Sequence, residues 1–159
     1  MGVVSYGQTP PSADLVLKQA LKEAEKENKN VFIIFHASWC GWCRKMDSSI
    51  NDKNCKSFFY HNYIIKHLTV YESADKKTLE NPGALEMLTG YKGKDEGIPF
   101  WLIFDSKGNL LADSQLKPGV NSGCPATADE VDYFINVLRK TAKINGEEIR
   151  NIRERFLKN

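Results

Sequence analysis

A short apolar run followed by a pair of cysteines constrains the fold of this chain more than any other feature. Residues 31–35 read VFIIF, and Cys40 and Cys43 follow, three positions apart. A continuous run of strand-favouring residues is typical of a central strand that is covered on both faces. A helix is predicted to begin near Cys40, with Cys43, Met46 and Ile50 on its inner face. The pattern therefore predicts a buried strand that delivers a cysteine pair to the start of a helix.

The rest of the chain alternates predicted helices with predicted strands. Two patterns typical of capping boxes predict helix starts at Thr127 and at Asn145. The order of elements predicts an α/β fold, with a mixed central sheet between helices and an extra C-terminal helix. We expect an N-terminal arm over 1–11, one domain over 12–143 and a helical extension over 144–159. The predicted strands are 31–35, 63–70, 100–104 and 110–114. Helices are predicted over 12–28, 52–60, 83–89 and 127–142, the third with Gly90 as its C-cap. Two more helices are predicted to begin at about residue 40 and at residue 145.

Composition and charge exclude several classes of function. The chain has 159 residues and a formal net charge of +2. Its charges are spread along the sequence, so we expect no binding to nucleic acid, and no apolar run approaches the roughly 20 residues of a membrane span. Four cysteines are too few for a disulfide framework in a chain of this length. The first residues do not resemble a signal peptide, which leaves two alternatives: a cytoplasmic protein that starts at Met1, or a mature form whose signal has been removed.

The cysteine pair can meet the three requirements of thiol–disulfide exchange. The attacking thiol must ionise, which the N–H groups and the dipole at a helix N-terminus favour. A second thiol must lie close enough to resolve the mixed disulfide, and the site must be open to another protein. We therefore predict Cys40 as the nucleophile and Cys43 as the resolving thiol, with Gly41 leaving the approach to Cys40 open. Trp39 and Trp42 either contact the substrate or pack over the disulfide.

A second motif, Ile98-Pro99, follows the cysteine pair by about 56 residues. It comes after a loop rich in glycine and lysine and directly before an apolar strand. Proline is tolerated at the first position of a strand, and a cis bond there would be a specific feature of the fold. Ile-Pro alone is a weak signal, but this distance from a C-x-x-C and the hairpin that follows make it a strong one.

These residues together resemble the thioredoxin superfamily over about residues 13–143. The matching segments are FHASWCGWC over 35–43, GIPF over 97–100, the strand WLIF over 101–104 and the turn DSKGN over 105–109. Within the superfamily, the chain is most similar to bacterial thioredoxin-like proteins related to the C-terminal domain of the membrane disulfide reductases. The resemblance implies that Pro99 is cis, packs against the disulfide and helps to present the backbone of Ile98 to a substrate strand.

The resemblance also implies an activity and its partners. We expect a protein-disulfide oxidoreductase of the reductase or isomerase type, which needs no external cofactor because the dithiol carries the electrons. Its partners would be a disulfide-containing client protein and a dithiol electron donor, and we expect the chain itself to be a monomer. The bacterial resemblance favours the periplasm or envelope as its location.

Three features of the chain depart from the superfamily pattern. Ile34 stands where thioredoxin has a buried acid that assists proton transfer behind the second cysteine, and Trp42 stands where thioredoxin has a proline. The segment from about 144 extends past the usual last helix. Because Ile34 is apolar, another base is needed, and Glu72 follows the strand over 63–70 at the end that should approach the cysteines. We therefore expect Glu72 to assist the deprotonation of Cys43.

The sequence leaves alternatives open for all four cysteines. Cys40 and Cys43 could be half of a zinc site, but no second C-x-x-C or histidine pair has suitable spacing, so we predict no metal site. A thioredoxin-fold binding module without redox turnover is the alternative function, and metal delivery is a weaker one. Cys55 is predicted to be a buried thiol. Cys124 lies in the predicted loop over 115–126. The sequence leaves open whether it is buried or is exposed and reactive, and whether it forms a disulfide with Cys55.

Overall fold

The computed structural model describes residues 7–159, so residues 1–6 of the predicted arm lie outside the described part. No helix among the described residues is long and apolar enough to cross a membrane. A 3-10 helix spans Ala74–Leu79. The helices are α1 (Ala13–Glu27), α2 (Gly41–Ile50), α3 (Lys56–Asn62), α4 (Ala84–Gly90), α5 (Ala128–Thr141) and α6 (Gly146–Phe156). The strands are β1 (Asn30–His36), β2 (Tyr63–Thr69), β3 (Phe100–Phe104), β4 (Leu110–Asp113), β5 (Gln115–Lys117) and β6 (Val120–Asn121).

Strand β1 lies inside the main sheet, as its unbroken apolar run predicts. The four strands have the order β2-β1-β3-β4. β2 is parallel to β1, β3 is antiparallel to β1, and β4 is antiparallel to β3. Residues 31–35 are each at most 1% exposed, because strands flank β1 on both sides and helices cover both faces of the sheet. This arrangement confirms the predicted α/β class with a mixed central sheet.

Side chains of β1 contribute alternately to two cores, one on each face of the sheet. Phe32 packs on the face covered by α2, α3, α5 and α6, and its ring centroid lies 5.6 Å from that of Trp101. Val31, Ile33 and Phe35 pack on the opposite face, against α1 and α4. Apolar burial on both faces explains why β1 has a continuous hydrophobic run instead of an alternating one.

The last helix, α6, is built into the core. Its N-terminus carries the predicted capping box, in which Asn145 and Glu148 each accept a hydrogen bond from the other's backbone N–H. Ile152 and Phe156 are fully buried on its inner face. The ring of Phe156 lies 5.1 Å from that of Phe134 on α5, measured between centroids. The segment beyond 144 therefore completes the same hydrophobic core as α2 and α5.

Two short elements have no counterpart among the predicted ones, namely the 3-10 helix and a hairpin formed by β5 and β6. Pro118 and Gly119 make the turn of this hairpin, and the φ of +79° at Gly119 favours glycine. The hairpin is fastened to the sheet by Ser122, whose N–H and hydroxyl both donate to the Ser114 carbonyl, at 2.7 and 2.8 Å. Strands of two or three residues are too short to leave a periodic pattern, so the sequence indicates only a loop here.

The bounds of two predicted helices are wrong. Helix α3 begins at Lys56 instead of 52, because the Asp52 carboxylate accepts the Asn54 N–H at 2.9 Å and holds a turn there. Gly90 is the last residue of α4 instead of its C-cap. The left-handed residue that follows α4 is Lys92, with a φ of +61°, so the chain does not use the conformational freedom of Gly90 at this point.

The burial of α6 leads to a prediction about stability. Phe156→Ala should lower the free energy of unfolding by about 3–5 kcal/mol, because it leaves a cavity among buried aromatic rings. Leu157→Ala, at the adjacent but 44% exposed position, should change it by less than about 1 kcal/mol. Urea unfolding followed by circular dichroism measures both values. Equal effects of the two substitutions would contradict the packing of α6 described here.

Candidate active site

The cysteines of the C-x-x-C motif form a disulfide at the N-terminus of α2. Cys40 is the N-cap residue of this helix, and the Cys43 N–H donates to Cys40 Sγ at 3.1 Å. A tight turn connects β1 to α2, closed by a 3.1 Å hydrogen bond from the Cys40 N–H to the Ala37 carbonyl. The buried strand thus carries the pair to the start of a helix, as the sequence predicts.

The first turn of α2 is positively charged. Arg44 and Lys45 directly follow Cys43. Nη1 of Arg44 donates to the Ser38 carbonyl at 3.0 Å, and Nζ of Lys45 lies 4.2 Å from the centroid of the Trp42 ring. The cations add to the partial positive charge of the helix N-terminus. Both effects favour a thiolate at the N-cap position once the disulfide is reduced.

Little of the disulfide itself is open to solvent. Cys40 and Cys43 are each 3% exposed, and the side chains of Ala37 and Ile98 pack with them. Gly41 is exposed, and a Cβ atom there would meet only the end of the Arg44 side chain, at 3.8 Å. The neighbouring backbone therefore leaves room for an approaching chain, while the sulfur atoms lie just below the surface.

The Ile98-Pro99 segment lies against the disulfide. The bond between these residues is cis, as the resemblance implies, and the Ile98 carbonyl oxygen is 3.6 Å from Cys40 Sγ. Asn121 on β6 holds this segment, because its side-chain amide donates to the carbonyls of Gly97 and Pro99, both at 3.1 Å. Sequence reasoning missed Asn121, since a single polar residue in a predicted loop gives no signal of such a contact.

A groove of about 350 Å³ lies between Trp42 and the Ile98-Pro99 segment. Trp42 is 47% exposed at its margin, and Glu96 and Cys124 are among its other lining residues. Trp39, the other tryptophan predicted to contact substrate, does not line the groove. Its side chain is 57% exposed, and its Nε1–H donates to the Tyr71 carbonyl at 2.8 Å. The structure thus brings Trp42 and Ile98 together and places Trp39 on a different side of the cysteines.

Glu72 is buried behind the loop that precedes the cysteines. Its two carboxylate oxygens accept hydrogen bonds from the N–H and the hydroxyl of Ser38, at 2.6 and 2.7 Å. Burial acts to raise the pKa of Glu72, but the Ser38 bonds and the nearby Lys76 charge leave it below its ordinary value. The carboxylate therefore braces the turn into α2. Assistance to the deprotonation of Cys43 stays a prediction.

A polar cluster lies between α2 and the sheet. It consists of His36 at the end of β1, Asp47 on α2 and His67 on β2, and one potential ligand atom from each lies within 4.8 Å of the others. Burial, and then the proximity of His67, lower the pKa of His36. The sequence gives no signal of this cluster, because its members come from three elements and their spacing matches no metal-binding motif.

The remaining two cysteines are buried, which disfavours their reactive thiolate forms. Cys55 is fully buried, as predicted, and burial raises the pKa of its thiol to about 11. Cys124 is only 5% exposed, so of the two alternatives that the sequence leaves open the structure shows the buried thiol. The side-chain amide of Asn159 lies over it, 3.2 Å from Sγ, and burial raises the pKa of Cys124 to about 12. Both thiols are free, so the Cys55–Cys124 disulfide left open by the sequence does not form.

Comparison with known proteins supports the fold. A family model described as thioredoxin-like matches residues 14–106. A disulphide isomerase from Xylella fastidiosa Temecula1 has 16% sequence identity and a TM-score of 0.54, over 99% of this chain and 95% of that one. A thioredoxin from Thermus thermophilus has 14% identity and a TM-score of 0.50, over 83% and 87% of the two chains. The oxidised DsbD C-terminal domain from Neisseria meningitidis has 20% identity and a TM-score of 0.47, over 83% and 98%. A search of curated proteins gave no match.

The environment of Glu72 leads to a prediction about pH. Because its pKa is lowered in the folded protein, Glu72 stabilises the fold fully above its unfolded pKa of about 4.3, and this contribution is lost as the pH falls through the folded value. Glu72→Gln should lower the free energy of unfolding by about 1–3 kcal/mol at pH 7. The difference from wild type should shrink between about pH 5 and pH 3.

Urea unfolding at several pH values measures this difference. Glu86→Gln, an exposed position on α4, is the matched control and should change stability little at any pH. A Glu72→Gln effect that stays constant from pH 7 to pH 3 would show that the charge of Glu72 is not what stabilises the turn.

Proposed function

The chain belongs to the thioredoxin-like family, and from this premise we propose that it is a thiol–disulfide oxidoreductase that reduces or exchanges protein disulfides. The observation that carries the proposal is the Cys40–Cys43 disulfide at the N-terminus of α2. At that position the Cys40–Cys43 bond can exchange with other disulfides, and the positive N-terminus of α2 stabilises the thiolate that exchange requires.

The reaction begins with Cys40 as nucleophile. In the reduced protein, its thiolate accepts the Cys43 N–H and is stabilised by the positive first turn of α2. It attacks one sulfur of a client disulfide, so that a new S–S bond joins the client to Cys40. The client's S–S bond breaks, and its other sulfur leaves as a thiolate that takes up a proton.

Cys43 then resolves the mixed disulfide. It loses its proton and attacks Cys40 Sγ, so that the Cys40–Cys43 bond forms and the client's second cysteine leaves in its reduced form. Two electrons pass from the dithiol to the client. A dithiol donor must then return two electrons to the protein, and neither step calls for a further cofactor.

The groove beside the disulfide is where we place the client chain. Trp42 offers an exposed aromatic face at one margin, and Ile98-Pro99 forms the other. The backbone of Ile98 faces the reacting sulfur, with its carbonyl 3.6 Å from Cys40 Sγ. A client strand along this segment would bring its own sulfur to Cys40, while Gly41 keeps the adjoining surface low.

One observation favours the alternative, a thioredoxin-fold module that binds a partner without redox turnover. Each cysteine is only 3% exposed, so the disulfide presents little surface for attack. A binding module would use the same groove and keep the disulfide as a structural bond. The two functions differ in whether the disulfide can be reduced and re-formed reversibly.

Cysteine substitutions distinguish the two functions. Cys40→Ser should abolish the reduction of insulin disulfides, and Cys43→Ser should accumulate a mixed disulfide with the client, visible by mass spectrometry. Cys55→Ser, at a buried thiol outside the motif, is the control and should retain activity if it folds. Insulin reduction that survives Cys40→Ser would overturn the oxidoreductase proposal.

Equilibration in glutathione buffers, followed by alkylation and peptide mapping, gives the redox potential of the pair. We expect one reversible Cys40–Cys43 couple. A redox potential of about −270 mV indicates a reductase, and one of about −180 mV indicates an isomerase. A pair that stays oxidised or reduced under all conditions would support the binding module instead.

Removing the exposed indole at the groove provides a further prediction. Trp42→Ala should raise the KM for a folded protein client about tenfold, because aromatic anchors dominate many protein contacts. The rate with a small disulfide such as that of dithiobis(nitrobenzoic acid) should change far less. Leu110→Ala, an exposed apolar position on β4, is the matched control. Equal effects on large and small substrates would place the role of Trp42 at the cysteines instead of in client binding.

A further inference from the structure

Three metal-ligand side chains from three different elements converge behind the active-site helix. His36 is the last residue of β1, His67 lies on β2, and Asp47 lies on α2, one helical turn after Cys43. Their potential ligand atoms all lie within 4.8 Å of one another. The ring centroids of the two histidines are 4.8 Å apart, and Nε2 of His67 lies 2.7 Å from an Asp47 carboxylate oxygen.

We propose that His36, Asp47 and His67 bind one zinc ion. Two imidazole nitrogens and one carboxylate oxygen form a donor set that suits zinc, with a water molecule as the fourth ligand. Ligand atoms around a tetrahedral zinc ion lie about 3.4 Å apart, so the three side chains need to close by no more than about 1.5 Å. We expect rotations of the imidazole and carboxylate groups to cover that distance.

The surroundings of the cluster favour a metal site over an isolated ion pair. An Asp47–His67 pair would use only one of the histidines, yet His36 packs against His67 on the same side of the sheet. His36 also has a second-sphere partner, because its Nε2 lies 3.1 Å from Thr69 Oγ1. Such a contact fixes the orientation of the ring, as partners of metal-binding histidines do.

An ion can reach this cluster from solvent. β2 is an edge strand of the sheet, so His67 lies at the border of the molecule. The side chains of His67 and Asp47 are 33% and 39% exposed. The site therefore combines ligands from three elements with access from solvent.

Zinc bound here would connect α2 to β1 and β2 without using the cysteines. The proposal is therefore independent of redox turnover. It also differs from a C-x-x-C zinc site, which binds metal only through reduced thiolates, because these three ligands are available while the disulfide is intact. Binding to the oxidised protein is the distinguishing property.

Isothermal titration of Zn²⁺ into the tag-free, oxidised protein tests the proposal. We expect one ion per chain, and the same stoichiometry with a Cys40→Ser/Cys43→Ser double variant, which removes the competing thiolates. His36→Ala and His67→Gln should each weaken binding at least tenfold, since even second-sphere changes cost about 10–100-fold. His61→Ala, the third histidine of the chain, lies outside the cluster and should bind zinc like wild type.

A second measurement guards against variants that fail to fold. Zn²⁺ should raise the melting temperature of the oxidised wild type and of His61→Ala, and it should not raise that of His67→Gln, whose partly exposed position tolerates the change. Absence of zinc binding by the oxidised wild type would overturn the proposal. Equal affinities for wild type and His67→Gln, or binding that disappears in the double cysteine variant, would overturn it too.

Discussion

The double-sided burial of β1 is the constraint on which the rest of the structure depends. Its five central residues are held by strands on both sides and by helices on both faces, so the point at which the strand ends is fixed. The turn that follows is only four residues long and is braced by the hydrogen bonds of Ser38 to the Glu72 carboxylate. Cys40 therefore enters α2 at a set position. The same strand end also fixes His36, one residue before the turn.

Placement alone divides the four cysteines into two chemical classes. Cys40 occupies a helix N-terminus with a backbone N–H directed at its sulfur, where negative charge is stabilised. Cys55 and Cys124 belong to the buried core, and burial raises the pKa of both thiols, to about 11 and about 12. Thiolate chemistry is thereby confined to one end of α2, although all four residues share the same functional group.

Local signals allowed much of the fold and the centre of the site to be predicted. The apolar run of β1, the two capping boxes and the C-x-x-C each depend on neighbours in sequence, and each is found where predicted. The features that escaped prediction are tertiary. The side chain of Asn159 covers Cys124, and Asn121 holds the Ile98-Pro99 segment across a gap of more than 20 residues. Glu72 lies at the expected end of β2, but its hydrogen bonds to the turn could not be inferred from its position in the sequence.

Contacts at the start, in the middle and near the end of helix α2 fix its position, and with it the position of the two cysteines. At its start the disulfide packs against Ile98, and in its middle Asp47 pairs with His67 on the sheet. Near its end the Ser49 hydroxyl donates to the side chain of Asn159 at 3.0 Å, beyond α6. The segment past 144 therefore reaches the helix that carries both cysteines. Because Asn159 also covers Cys124 in the groove wall, this segment shapes both the rigid support of the dithiol and the surface beside it.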